Sequence, residues 1–327
     1  MNAILVEEFG PPEVLKMKQV TTPDPKPGHA IIKIKAFGIN HAEMHMRRGE
    51  WAESMPIIGI ECVGLVAACP GGEFAVGTPV AAVMGGLGRT ISGSYAEYTS
   101  APVGNVVKLG ESEEDLKEVL GLGWGQVAAI PETNLEVKAG ERLLIRGGTS
   151  SFGRAAINLA VQKGAEVTAT SRNTERFADL KDLGATEALL EVPDLSTRLL
   201  SEGRDKFDAV LELVGNSTVL DSLKLVRRGG HVCLAGFLGG LEPIPDFNPL
   251  LQMASGVHFS FFGSFVFGKA EFPLSDVPLK DILRMVAENK VKAEPGRVWK
   301  FDEEDIREAH RHMEESKAGG KMVVVVE

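Results

Sequence analysis

The spacing of apolar positions changes character along the chain. Up to about residue 110 they come in short runs separated by turns. Ala30 to Ala36 sets isoleucines against lysines with the period of a half-buried strand, and Ile57 to Val66, Val76 to Val80 and Gly93 to Tyr98 predict further strands. The stretch Thr21-Thr22-Pro23-Asp24-Pro25-Lys26-Pro27-Gly28 is a loop, because its prolines remove donors and restrict the residues before them. Asn40 to Arg48 reads as helix or turn. A charged helix over Glu111 to Leu120, with Ser112 as its cap, marks a crossing into a second domain. From Gly121 to Gly256 near-continuous apolar runs alternate with helical stretches. Phe207 to Val214 is a strand, Ser217 to Val226 a helix, Arg227 to Gly230 a turn and Val232 to Phe237 the next strand. That alternation predicts a parallel sheet covered by helices on both faces. The tail offers Val257 to Phe262, a helix from Lys280 to Glu288, a strand at Val298 to Phe301, a charged helix from Glu303 to Glu315 and a last strand from Met322 to Val326. Its strands predict a return to the N-terminal β domain, which would then be discontinuous in sequence.

The most informative stretch is Arg-Leu-Leu-Ile-Arg-Gly-Gly-Thr-Ser-Ser-Phe-Gly at 142–153. Leu143 to Ile145 is a short buried strand, Arg154 to Lys163 a small apolar-periodic helix, and Val167 to Thr170 a second buried strand. Strand, glycine turn, helix and strand form the βαβ unit that binds dinucleotides, with the helix N-terminus towards the pyrophosphate. Gly148, Ser150 and Gly153 hold the positions of the three fingerprint glycines, so Ser150 departs from the pattern. The candidate phosphate cradle is Gly148, Thr149, Ser150, Ser151, Phe152 and Gly153. Folds of this kind that prefer NAD carry an acidic residue about 20 residues beyond the glycines. Here Ala169-Thr170-Ser171-Arg172-Asn173 has none, and Ser171 with Arg172 suits a 2′-phosphate. The expected cofactor is therefore NADPH. Val214, Gly215, Gly236 and Phe237 end later strands on the carboxyl edge, where open α/β sheets bind ligands, and are expected to complete its pocket.

Composition narrows the class. Lys and Arg number 35 against 45 Asp and Glu in 327 residues, a formal charge of −10 that opposes a broad nucleic-acid or anionic-membrane surface. No apolar run reaches membrane-spanning length and no basic leader with an apolar core is visible. Three cysteines, with no CxxC pair, predict buried free thiols and a cytoplasmic, reducing setting.

Taken in order, Phe37-Gly38-Ile39-Asn40, Arg48-Gly49, Gly59-Ile60-Glu61, Gly93-Ser94-Tyr95-Ala96-Glu97-Tyr98, Gly229-Gly230-His231-Val232, Ala309-His310-Arg311-His312-Met313-Glu314 and Gly319-Gly320-Lys321-Met322-Val323 resemble the zinc-independent quinone oxidoreductase branch of the medium-chain dehydrogenase/reductase superfamily. The resemblance implies a fold of two classes, α/β and β. A GroES-like catalytic domain would begin at 1–118, a Rossmann-like NADPH-binding domain would occupy 119–262, and 263–327 would complete the first domain. It also implies NADPH in the cleft between domains and hydride transfer to a small-molecule quinone or α,β-unsaturated carbonyl compound. Zinc-dependent relatives carry Cys where Asn40 stands and Gly-His-Glu where Gly59-Ile60-Glu61 stands, so two metal ligands are lost and no metal is expected. His41 and His45 make a weak metal pair at best.

Asn40 matches a position near nicotinamide and substrate and, like Trp51 and Tyr95, is a candidate catalytic residue. Trp51 would be an aromatic wall, and Tyr95, rather than Tyr98, would face the cleft. Leu122-Gly123-Trp124-Gly125 lacks the threonine that relatives often supply to the nicotinamide. Phe259 to Phe267 resembles an edge-strand region, and a homodimer is expected. Two competing readings remain open at this point: reduction of an enoyl thioester, and a non-catalytic NADPH-binding sensor or interaction protein.

Overall fold

The computed structural model describes residues 1–51, 53–110, 137–288, 290–292 and 295–327. The expected helix over Glu111 to Leu120, the Leu122–Gly125 stretch and the 118/119 boundary lie outside the described residues. Fifteen described strands follow in chain order: β1 Asn2–Val6, β2 Leu15–Gln19, β3 His29–Ile39, β4 Glu61–Ala68, β5 Pro79–Val83, β6 Tyr98–Pro102, β7 Val106–Lys108, β8 Arg142–Arg146, β9 Glu166–Ser171, β10 Glu187–Leu190, β11 Phe207–Glu212, β12 Val226–Leu234, β13 His258–Phe261, β14 Arg297–Lys300 and β15 Met322–Val325. Two compact units divide the chain: Met1–Gly125, Ser264–Glu288 and Ala293–Glu327 in one, Gln126–Gly263 and Asn289–Lys292 in the other.

The first unit is a β structure of the GroES-like class. Its large sheet runs β14-β15-β3-β4-β5-β7, with β6 also paired to β3. The closing strand lies antiparallel to the end of β3, Met322 against Ile39 and Val325 against Ala36, so strands from residues 29–39 and 322–325 share one sheet. Ala36, Val63, Ala81 and Val323 from four of these strands form a small-residue core. Expected strand positions slipped here. Ile57 to Ile60 is not strand: Gly59 takes φ +107°, and the peptide carbonyls of Ile57 and Ile58 bond to Gly93 and Tyr95 instead of to a neighbouring ladder. Gly93 to Glu97 is likewise irregular, and β5 and β6 begin two or more residues later than the apolar pattern predicts. Helix α1, His41–Arg48, starts at Asn40 and ends at Gly49 in the left-handed region.

The second unit is a six-stranded, all-parallel sheet in the order β10-β9-β8-β11-β12-β13. Leu143, Leu144 and Ile145 of β8 are buried on both faces, as expected for a central parallel strand. Leu144, Leu195, Leu199, Val210, Val219, Leu223 and Val232 pack together on one face. Full burial of each such side chain contributes about 1.5–3 kcal/mol. Arg227 to Gly230, read as a turn, is instead a loop-out within β12. Phe207 pairs with Val226 and Ala209 with His231, so four residues of β12 bulge opposite one of β11.

Candidate active site

In the α/β unit the glycine turn is built as a cradle. Helix α2, Ser151–Gln162, starts three residues earlier than periodicity predicts, because Ser150 caps it. The Ser150 hydroxyl accepts from the Gly153 N–H at 3.0 Å and donates to the Gly147 carbonyl at 2.8 Å. Ser150 thus closes the turn on itself, which accounts for a serine where the fingerprint has glycine. Gly147 sits at φ +82°. Gly153 packs so closely that a Cβ there would lie 2.5 Å from the Gly147 carbonyl oxygen. The first N–H groups of α2, at Ser151 and Phe152, are beyond reach of any intrahelical carbonyl and lie at the positive end of the helix dipole. Thr149, Ser151 and Phe152 are half-buried around this opening.

Two further turns end neighbouring strands of the same sheet. Val214 and Gly215 follow β11, and their N–H groups donate to one oxygen of Glu212 at 2.7 and 3.1 Å. Gly236 and Phe237 follow β12, with Phe237 half-buried and its ring 6.2 Å from that of Phe261. At the end of β9, Arg172 is exposed but Ser171 is not. The Ser171 hydroxyl spends its one hydrogen on the Asn173 carbonyl at 3.0 Å and accepts from the Asn173 N–H at 3.1 Å. Here the Ser171 side chain shapes the turn, and Arg172 is the one of the pair presented outward.

Sequence reading missed a buried polar cluster behind these turns. Arg146 is wholly buried and surrounded by Glu191, Asp221 and Glu212. Burial pushes the Glu212 carboxyl above the usual range, against the pull of Arg146. The signal was present: an arginine closing an otherwise apolar strand, and a glutamate inside the apolar run from Phe207 to Val214.

In the β unit, Asn40 is half-buried at the start of α1. Its N–H donates to Glu43 at 2.7 Å, and its Oδ1 accepts from the Lys321 ammonium at 2.5 Å. Because lysine can only donate, this contact fixes the amide orientation and leaves Nδ2 as the second functional atom. Nδ2 makes only long contacts, 3.3 Å to Glu61 and 3.4 Å to Glu43. Lys321 also pairs with Glu61. Glu43 is completely buried, and burial pushes its carboxyl up to about 7, with Lys321 pulling the other way and Glu61 adding to the rise. Lys321 and Glu43, too, were not anticipated. Trp51 stacks on His45 at 6.0 Å with planes 11° apart, and the Arg89 guanidinium lies 5.7 Å from its ring centre.

Tyr95 is a correction. It is wholly buried, stacked on Phe37 at 4.7 Å, with its hydroxyl 3.0 Å from Nε2 of His310. It faces core, not solvent, because its segment leaves the strand geometry on which the expectation rested. Arg48 pairs with Glu314 at 2.7 Å.

These donors do not fit zinc. The positions that would supply thiolate and imidazole hold an amide and an isoleucine, and the remaining carboxylate, Glu61, is already neutralised by an ammonium. No group of three or more His, Cys, Asp or Glu among the described residues is arranged to hold a metal ion.

The comparisons with known proteins agree with this architecture. The family model "Alcohol dehydrogenase GroES-like domain" matches residues 26–111, and "Zinc-binding dehydrogenase" matches 152–279. The quinone oxidoreductase of Pongo abelii is 32% identical over 285 residues, 83% of each chain. A mycobacterial protein solved in complex with NADPH superimposes with a TM-score of 0.85 at 26% identity over 99% of both chains. The quinone oxidoreductase of Pseudomonas syringae pv. Tomato does so with a TM-score of 0.84, also at 26% identity over 99% of both. The chain is an oxidoreductase of the medium-chain dehydrogenase/reductase superfamily and belongs to its quinone-oxidoreductase-like members.

Proposed function

We propose that the chain is a zinc-independent, NADPH-dependent reductase acting on a quinone or an α,β-unsaturated carbonyl compound. The observation that carries this reading is the capped glycine turn at 147–153, which leaves the N–H groups of Ser151 and Phe152 at a helix start as pyrophosphate donors. NADPH, when bound, supplies the hydride. Gly148 and Gly153 keep the backbone low beneath the phosphates, and Thr149 flanks them. Arg172 gives a planar fork suited to the 2′-phosphate oxygens. Val214, Gly215, Gly236 and Phe237 line the pocket from the neighbouring strand ends.

The mycobacterial relative solved with NADPH supports the choice of cofactor. Asn40 is the acceptor-orienting residue: with Oδ1 held by Lys321, its Nδ2 donates to a carbonyl oxygen or a ribose hydroxyl. Trp51 provides a flat apolar wall for a planar acceptor. The final proton comes from water, so no buried acid is required. A homodimer accords with β13, the outer strand of its sheet, on which Phe259 and Phe261 remain 36% and 53% exposed. Three free cysteines accord with a reducing cytoplasmic setting. No described helix is long and apolar enough to cross a membrane.

The test is steady-state oxidation of NADPH and NADH at varied cofactor concentration against a panel of quinones and enones, for the natural chain and Arg172→Ala. We expect Arg172→Ala to raise the KM for NADPH about tenfold or more, with that for NADH changed far less. Failure of every acceptor to oxidise bound NADPH would overturn the reductase reading.

A further inference from the structure

We propose that Arg146 is a positioning residue that ties two cofactor-lining turns of the α/β unit together and so sets nucleotide affinity. The inference rests on the reading of those turns as the NADPH site and goes on to say what holds them.

Arg146 ends β8 directly before the glycine turn, and none of its side chain is exposed. All three guanidinium nitrogens are engaged. Nε donates to Glu191 at 3.2 Å, and Nη2 donates to Glu191 and to the Val192 carbonyl, the latter at 3.1 Å. Nη1 donates to Asp221 at 2.8 Å, to the Ser222 hydroxyl at 3.1 Å and to the Thr218 carbonyl at 3.3 Å.

Two chains of hydrogen bonds run outward from this hub. In the first, Glu191 accepts from the Thr170 hydroxyl at 2.5 Å, and that hydroxyl accepts from the N–H of Gly147, the first residue of the glycine turn, at 3.0 Å. In the second, the Ser222 hydroxyl donates to Glu212 at 2.5 Å, and Glu212 accepts from the N–H groups of Val214 and Gly215. Each hydroxyl accepts at one side and donates at the other, and in each chain the donors from both ends converge on one carboxylate, Glu191 in the first and Glu212 in the second. The first ends on the N–H that opens the glycine turn, next to the proposed cradle, and the second on the N–H groups of Val214 and Gly215, proposed to line the cofactor pocket.

Stability alone is a poor reason for this arrangement. Buried ion networks roughly break even with apolar residues of the same volume, because desolvating the charges offsets their attraction. Closing one cation needs one carboxylate, yet three converge on Arg146. What the planar fork provides, and an apolar core does not, is a fixed angle between the elements it bonds. Here those elements are the turn after β8 and the turn after β11, adjacent strands of the sheet.

The experiment uses the full chain with Thr170→Val, Ser222→Ala, the double variant and Arg146→Lys. The readouts are the NADPH dissociation constant from nicotinamide fluorescence and the urea unfolding midpoint. Thr170→Val and Ser222→Ala are close in shape and cut one chain each, so they keep the test alive if Arg146→Lys fails to fold. Each is expected to weaken NADPH binding by about three- to tenfold. The double variant should lose less than the product of the two, since either cut already releases the turns from each other. Arg146→Lys, which keeps the charge but loses the fork, should weaken binding about tenfold or more. Folded single variants with natural affinity, or a double variant whose loss equals the product of the singles, would overturn the inference. A purely structural role moves the unfolding midpoint without this coupling in affinity. If the natural chain binds neither NADPH nor NADH, the nucleotide reading itself falls, which is a different result from variants that match a binding natural chain.

Discussion

Adding a single methyl at Gly153 probes the cradle most sharply. The new Cβ of Gly153→Ala would lie 2.5 Å from the Gly147 carbonyl oxygen, 2.7 Å from Gly148 Cα and 2.8 Å from the Gly148 carbonyl carbon. Comfortable non-bonded separations are about 3.5–4.0 Å, so the turn and the start of α2 must part by about 1 Å. Every atom in the way is backbone, and no rotamer change relieves the contact. Overpacking of this kind costs about 1–3 kcal/mol. The strain falls on the Ser150 cap and on the N–H groups proposed to meet the pyrophosphate, so affinity should fall with stability. The expected outcome is a loss of about 1–3 kcal/mol in urea unfolding and an NADPH dissociation constant raised about 10- to 100-fold. Gly104→Ala is the control, since a Cβ there meets nothing within 4 Å. Natural affinity in a folded Gly153→Ala variant would refute the claim that tight turn–helix packing positions the phosphate donors.

Other variants test the β unit. Tyr95→Phe strips His310 of its Nε2 partner and should cost about 1–2 kcal/mol of stability, with kcat within about twofold of natural; a collapse of kcat at unchanged stability would return Tyr95 to the catalytic set. Lys321→Met leaves the Glu61 carboxylate buried without its ammonium and should cost about 3–5 kcal/mol, part of it recovered in Lys321→Met/Glu61→Gln when unfolding is compared. Glu43, with its carboxyl raised to about 7 from 4.5, keeps its proton in the folded chain while the unfolded chain releases it. Its contribution is therefore fully present below 4.5 and is lost as pH rises towards 7, on the order of 1–3 kcal/mol. Unfolding of Glu43→Gln across that window should show a flatter pH profile, and an unchanged slope would remove Glu43 as its source.

What could be read from the sequence follows from the range of the interactions involved. The parallel sheet was legible because strands buried on both faces must be apolar throughout, as Leu143 to Ile145 and Ala209 to Leu211 are. The return of Met322–Val325 to β3 followed from an apolar strand beyond the alternating strand–helix region, which needed a sheet to join. The first unit was harder, since its strands are half-exposed and its turns are set by long-range bonds. Ile57 and Ile58 look like strand, yet their carbonyls serve Gly93 and Tyr95 more than thirty positions away. Ser150 could have been read as a cap from its place three residues before Gly153. The partners of Arg146 could not, because Glu191, Asp221 and Ser222 meet it only once four strands and a helix are assembled. Asn40 was found by its match to a family position. That Lys321 orients its amide came only from the structure, since the two lie at opposite ends of the chain.

The central claim is that the turn at 147–153 binds NADPH for hydride delivery to a conjugated acceptor. Titrating the purified, metal-free chain with NADPH and NADH by nicotinamide fluorescence, then adding a quinone to the same cuvette, tests it most directly. The account predicts tighter binding of NADPH than of NADH, followed by loss of reduced-nicotinamide fluorescence when the quinone is added. Equal or tighter NADH binding would contradict the role given to Arg172, and no binding of either nucleotide would contradict the site itself.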